Sequence, residues 1–368
     1  DGTPAEGIFT LRASAMDYQM FPAGIRPSLP IDATQAASGA DGWVLESALT
    51  DITLIPLPAG ETRFTVAGRV VVSSGNVGPR GVLMVLENTE NAGNAPFGFA
   101  AINGEFEIFN VPAGSYSLRG YKAGLSLAPA DVAVSTADVT GVEITQSDVP
   151  LATVSGSVQI VNAPGGSKTT VVLVPESTFS ETFVKGEVPP GLRAPAPPAA
   201  PSVTGEFSIA GVPSGRYVVL AAFENDGLVR DPDPSIAGTQ IVHIEVDGSA
   251  STTVTLPSSF KITEALEILY PGAAQPEAVD PANLEFRWVD DSSEDFYRIV
   301  VYNAFGDLVW ERNDIPKVTG GNVTVHYDGP PLMEGMYYQF RVWSMRASGP
   351  ISSTEDLLGV FYIPLQLQ

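Results

Sequence analysis

Residues 104–118 read GEFEIFNVPAGSYSL, and residues 205–219 read GEFSIAGVPSGRYVV. Phe106 and Ile108 alternate with polar neighbours, as do Phe207 and Ile209, which is the period of a strand with one buried face. Pro112 and Pro213 each fix a turn, Gly114 and Gly215 free its far side, and Tyr116 and Tyr217 open a second strand. Each copy is therefore expected to form a β-hairpin.

Working upstream, VAGRVVV at 66–72 pairs in the same order with VSGSVQI at 154–160, so two whole units repeat. This pattern resembles the carboxypeptidase regulatory-like family, whose units are transthyretin-like sandwiches. The resemblance covers residues 63 to about 257 and implies an accessory sandwich rather than a catalytic domain. The second copy also carries VPPGLRAPAPPAAP at 188–201, expected to be an extended surface loop of polyproline character.

Beyond residue 258 the repeat stops. LEFRW at 284–288, YRIVV at 297–301, GDLVW at 306–310 and GMYYQFRV at 335–342 succeed one another in the rhythm of a second kind of sandwich. That order resembles a fibronectin type III-like domain.

The opening segment differs. GIFTLR at 7–12 aligns with GSYSLR at 114–119, the later half of the repeat, and LESALTDITLIPL at 45–57 reads as a closing strand. The expected fold class is all-β, a tandem of transthyretin-like/Ig-like β-sandwich modules with the first incomplete. The expected divisions are 1–62, 63–150, 151–257 and 258–368. Three readings of the first unit stand side by side: a fragment whose other half lies upstream, a half completed by strands of a neighbouring chain, or a short divergent module. Under the second, Gly7, Phe9, Leu11, Ile52 and Leu54 form the assembly face.

Bulk properties narrow the function. With 42 acidic against 19 basic residues, a net charge of −23 opposes nucleic acid and anionic membranes as partners. The absence of cysteine removes disulfides, thiolate metal sites and cysteine nucleophiles. No run of about 18 apolar residues crosses a membrane, and residues 1–20 lack signal-peptide organisation, so an exported chain is expected to have lost its signal already.

His243 and His326, the only histidines, fall in different units and are too few for a zinc or triad site. Asp290, Asp291, Glu294 and Asp295 are expected in a solvated turn rather than across a cleft. Asn225, Asp226, Asp231 and Asp233 offer oxygen ligands to calcium at a spacing unlike an EF-hand, and Asn322-Val323-Thr324 is a glycosylation sequon. The first strands of the repeats lack the lysine that an isopeptide crosslink uses. Trp43, Trp288, Trp310 and Trp343 sit largely at core-like alternating positions, though a sugar-stacking face is the alternative.

The expectation is a non-enzymatic protein without cofactor, bacterial and extracellular or at the cell surface. Such a protein is a fibre subunit, stalk or adhesin segment that self-associates into filaments or joins other surface proteins. The alternative is a polysaccharide-binding accessory region of a secreted enzyme; an appendage of a transporter ranks third.

Overall fold

The computed structural model describes the chain except residues 1–7, 27, 29–30, 40–41, 46–50, 74–76, 89–92, 162, 164, 181–189, 197–198, 222–227, 231–240, 250–251, 356 and 366–368. It is a tandem β-sandwich protein, and among the described residues the helical elements are short 3-10 turns between strands.

The opening segment holds two small antiparallel pairs. They are β1 (Ile8–Phe9) with β2 (Ile31–Asp32), and β3 (Ala37–Gly39) with β4 (Gly42–Val44). The closing strand expected over 45–57 does not form in its described part. Residues 51–57 pair only at Pro56, opposite Tyr18, where Gln19 N–H donates to the Ile55 carbonyl and Leu57 N–H to that of Asp17. Proline offers no donor to a ladder, which keeps this pairing short.

The next unit contains β5 (Phe64–Val71), β6 (Leu83–Glu87), β7 (Phe97–Phe99), β8 (Glu105–Val111), β9 (Gly114–Tyr121), β10 (Ala130–Val134) and β11 (Val139–Thr145). One sheet runs β10-β9-β6-β7 and the other β11-β5-β8. Strands β8 and β9 thus lie in opposite sheets. The expected hairpin is instead an arch that carries the chain across the core, because β8 finds its partner in β5 and β9 in β6 and β10.

The third unit repeats the plan with β12 (Ala152–Val161), β13 (Val171–Pro175), β14 (Leu192–Ala194), β15 (Glu206–Val212), β16 (Gly215–Ala221), β17 (Leu228–Arg230), β18 (Val242–Val246), β19 (Thr253–Thr255) and β20 (Phe260–Glu264). Again β15 joins β12 in one sheet while β16 joins β13 and β18 in the other. Two expectations change here. The proline-rich stretch supplies β14, paired with β13 and burying Leu192 and Ala194, so its centre is an edge strand rather than a loop. Strand β20 pairs parallel to β12 and places Phe260 and Ile262 in this unit's core, which moves the boundary from 257/258 to just past Glu264.

The last unit holds β21 (Ile268–Tyr270), β22 (Glu277–Ala278), β23 (Glu285–Val289), β24 (Phe296–Asn303), β25 (Leu308–Pro316), β26 (Asn322–His326), β27 (Tyr337–Arg346), β28 (Gly349–Ser353) and β29 (Val360–Tyr362). Its sheets, β21-β23-β26 and β22-β29-β27-β24-β25 with β28 on β27, enclose an aromatic core around Trp288, Phe286 and Phe340.

Candidate functional site: the joints between sandwiches

The arch explains its own sequence. Asn110 and Gly211, one residue before Val-Pro in each copy, both have positive φ, +60° and +72°, a conformation that asparagine and glycine tolerate best. Across each arch the tyrosine hydroxyl donates to the proline carbonyl four residues back, Tyr116 to Pro112 at 2.9 Å and Tyr217 to Pro213 at 2.7 Å. Both rings are buried, so the bond satisfies a hydroxyl that would otherwise be stranded in the core. Burial also pushes the Tyr217 hydroxyl well above the ordinary tyrosine range.

Each arch receives a tight turn from the unit before it. In the turn Lys122 to Leu125, Gly124 has φ +79°, Leu125 N–H donates to the Lys122 carbonyl, and Gly124 N–H donates to the Gly211 carbonyl at 2.8 Å. In the turn Ala15 to Tyr18, Asp17 has φ +64°, Tyr18 N–H donates to the Ala15 carbonyl, and Asp17 N–H donates to Asn110 Oδ1 at 2.7 Å. Asp17 and Gly124 each stand ten residues past the glycine that anchors the 7–12 and 114–119 alignment. The same joint therefore occurs twice in the same sequence register.

The two joints are filled differently. Asn110 reaches across with its side chain, its Nδ2 also donating to the carbonyls of Ala15 (3.1 Å) and Tyr18 (2.9 Å). At Gly211 a β-carbon would lie 2.6 Å from the Gly124 nitrogen, so backbone meets backbone and only glycine fits.

The second joint is also a shared core. In β6 alternate residues serve two sandwiches: Met84 and Leu86 point into the core of their own unit, Leu83 and Val85 into that of the third. All four are 3 % exposed or less, and each such side chain contributes about 1.5–3 kcal/mol when buried. Tyr121 stacks edge-on against Tyr217 at 5.7 Å. Its hydroxyl donates to Glu87 Oε1 at 2.6 Å, where Ser177 also donates at 3.0 Å. Arg119 donates to the Ser214 carbonyl at 3.0 Å, and Ala95 N–H to that of Ser177. Burial first, then the Glu87 charge, raise the Tyr121 hydroxyl far above its usual range.

A third contact joins the ends of the described chain. Ile25 and Ile55, 0 % and 6 % exposed, belong to the core of the last sandwich. Gln19 Nε2 donates to the Ala304 carbonyl at 2.6 Å, in the turn between β24 and β25. The buried Arg26 guanidinium lies 4.5 Å over Tyr337 and 5.2 Å from Phe21, and donates to the Thr53 carbonyl at 2.6 Å. Burial lowers its pKa. The opening segment thus bridges the second unit, through mostly polar contacts, and the last unit, through mostly apolar ones.

Of the sequence-expected assembly residues, Leu11, Ile52 and Leu54 are described in full, in the segment that makes this bridge. Gly7 lies outside the described residues, and Phe9 is in β1 with its side chain outside the description. Leu11, Ile52 and Leu54 are half-buried, Leu11 N–H donating to Ser28 Oγ at 3.0 Å. The fully packed residues, Ile25 and Ile55, were not among them. Their signal was weak, since Ile25 stands outside any alternating pattern and Ile55 lies on the opposite parity from the Ile52 and Leu54 chosen from the same stretch. The signal for the shared core was plainer: Val82 to Leu86 is an unbroken apolar run, the mark of a strand buried on both faces.

Two open clefts accompany the joints. One, of about 1120 Å³, lies beside the first and is lined by Arg12, Tyr18, Phe97, Phe99, Glu107 and Asn110. The other, of about 950 Å³, lies beside the second, with Glu87, Arg119, Glu176, Arg216, His243 and Asp247.

His243 sits 3.0 Å from Glu176, which also pairs with Arg216 at 2.7 Å, while His326 is 3.9 Å from Glu285 in the last unit. Among the described residues no group of three or more metal-ligating side chains converges; Asn225, Asp226, Asp231 and Asp233 lie outside them. The acidic turn is not wholly solvated. Asp290 and Asp291 accept from Tyr297 and Ser344, but Glu294 is 1 % exposed, and burial, with the neighbouring Asp290 and Asp291 charges, raises its carboxyl pKa. Trp288 and Trp310 are core residues, Trp343 lies between Arg298 and Arg341, and Trp43 is 43 % exposed on β4, so the four do not make one sugar-stacking face.

The joints and sheets define a chain of β-sandwich modules. The family model of the BOS complex subunit NOMO1-like proteins, second beta sandwich domain, matches residues 62–149. No curated protein matches the chain. Among solved structures it is similar to the Bacillus anthracis TIE protein at 12% identity and a TM-score of 0.19, covering 84% of this chain and 51% of that one. It is similar to GBS52, the minor pilin of Streptococcus agalactiae, at 16% identity and 0.22, covering 56% and 99%. A DUF3823 family protein from Parabacteroides merdae gives 15% and 0.22, covering 59% and 100%. This chain spans about half the length of the first of these. At such identities and scores the likenesses say nothing of function.

Proposed function

We propose that this chain is a non-catalytic structural protein of a bacterial cell surface or extracellular space, in which sandwich modules are fused through joints into one stiff body. The modules are a partial transthyretin-like unit (1–62), two carboxypeptidase regulatory-like units meeting near residue 150, and a fibronectin type III-like unit after Glu264. The observation that carries this reading is the sharing of β6 between two cores, with the polar lock of Glu87, Tyr121 and Ser177 beside it. A core that continues across a module boundary resists bending there, which suits a load-bearing part more than a pair of flexibly tethered binding domains.

Immunogold labelling of intact, unpermeabilised cells is expected to decorate the surface or extracellular material. Label confined to the cell interior would overturn the reading. Retention on insoluble polysaccharide that is lost in Trp43→Ala would instead assign the chain to carbohydrate binding.

A further inference from the structure

We propose that the seat on the last sandwich which holds the opening segment is an exchangeable interface, and that its second occupant is the same pair of stretches, residues 19–26 and 51–57, from another copy of this chain. The proposal rests on the structural reading above and supplies its partner.

Three observations lead there. The seat is apolar and complementary, with Ile25 and Ile55 inserted into the core that contains Trp288 and Phe340, and Gln19 bound to the Ala304 carbonyl. Gly24, at φ +58°, brings backbone so close to Ala304 that a β-carbon would lie 2.5 Å from its carbonyl oxygen. Second, this fit closes the chain on itself: the last sandwich is reached both by the covalent crossing at Glu264 and Ala265 and by a segment that lies more than 200 residues earlier in the sequence. Third, the covalent crossing is short, since Thr263 is still buried in β20 and Leu266 is already in the core of the last sandwich, which leaves Glu264 and Ala265 between them. Leu266 N–H bonds to the Ser353 carbonyl and Ser352 Oγ to that of Glu264, while the segment adds Ile25 and Ile55 to the core.

Swinging the last sandwich about Glu264 and Ala265 exposes the seat on one side and Ile25 with Ile55 on the other. Two opened copies then carry matched surfaces, which close most cheaply on each other because every native contact is regained. Reciprocal exchange gives a closed pair, and one-way exchange gives a head-to-tail chain.

Complementation tests this. Ile25→Asp spoils the segment and leaves the seat; Ala304→Arg spoils the seat and leaves the segment. Each variant alone is expected to remain monomeric by native mass spectrometry. Their equimolar mixture is expected to form a mixed pair with affinity at least about tenfold above either self-association. A mixture that stays monomeric overturns the proposal. Should either variant misfold by circular dichroism, ¹⁵N-labelled and unlabelled wild-type protein are mixed after brief mild denaturation. Mixed-isotope pairs then support the exchange, and their absence overturns it. Neither result bears on where the protein resides, which the immunogold experiment decides separately.

Discussion

Gly68 and Gly156 occupy the same place in the two copies of V-x-G-x-V, yet the neighbours they admit are unequal. A β-carbon at Gly68 would lie 2.0 Å from the Val142 carbonyl oxygen and 2.8 Å from the Phe106 ring. At Gly156 the three nearest atoms would all be side-chain atoms of Leu256, the closest at 2.9 Å. Backbone cannot step aside without breaking the parallel pairing of β11 with β5, whereas a leucine can change rotamer. Gly68→Ala is therefore expected to destabilise the protein by about 1–3 kcal/mol, and Gly156→Ala by less than about 1 kcal/mol, in urea unfolding followed by tryptophan fluorescence. Equal losses would refute this account of the motif. The sequence made both glycines visible as a pattern. It could not show what they yield space to, because Val142, in β11, and Leu256, just past β19, lie far along the chain. The buried tyrosine hydroxyls are a similar case: Tyr116 and Tyr217 stood out as strand residues, but their bond to the proline carbonyl depends on the chain crossing between sheets.

At the scale of elements, that crossing is where the reading of the sequence and the fold part. Val-Pro-x-Gly fits a hairpin and an arch equally well, since its local chemistry fixes only the reversal. The choice was made by non-local pairing, β8 with β5 and β9 with β6. The positive-φ residue before it was legible as asparagine or glycine, but its role as the socket of a joint was not. Asn110→Gly keeps the backbone conformation and removes three hydrogen bonds, so the opening segment should loosen by about 1–3 kcal/mol while the second sandwich itself stays intact. Hydrogen exchange should accelerate over residues 13–21 and stay unchanged in β5 and β8. Gly211→Asn should likewise loosen its joint, the second, because its side chain has nowhere to go beside Gly124. If Asn110→Gly leaves exchange in 13–21 unaltered, the joint does not depend on that amide.

Over the whole molecule, the all-β class and the run of modules were legible from periodicity, because alternation is a local property that each strand declares for itself. The arrangement of modules was not. A string of sandwiches was expected; the structure instead merges the second and third across β6 and folds the opening segment onto the last. Ile25 stands in a proline- and glycine-punctuated stretch without strand alternation, and Ile55 lies on the opposite parity from the Ile52 and Leu54 picked out beside it, so neither was singled out as core. The merging has a measurable outcome. Val85→Ala is expected to cost about 1–2 kcal/mol, and the resulting rise in hydrogen exchange should spread into β13 and β16 of the third sandwich. A rise confined to the second sandwich would show that the two units unfold independently.

Strand β6 also sets an order of events during synthesis. The second sandwich has all its strands once Thr145 has emerged, but Leu83 and Val85 find their cover only when the third closes with β20 at Glu264. At about 5–20 residues per second, a ribosome leaves that apolar wall uncovered for on the order of ten seconds. The nascent chain thus passes through an interval in which a finished sandwich still presents a sticky face, and a chaperone that shields extended apolar surface would find its binding site there.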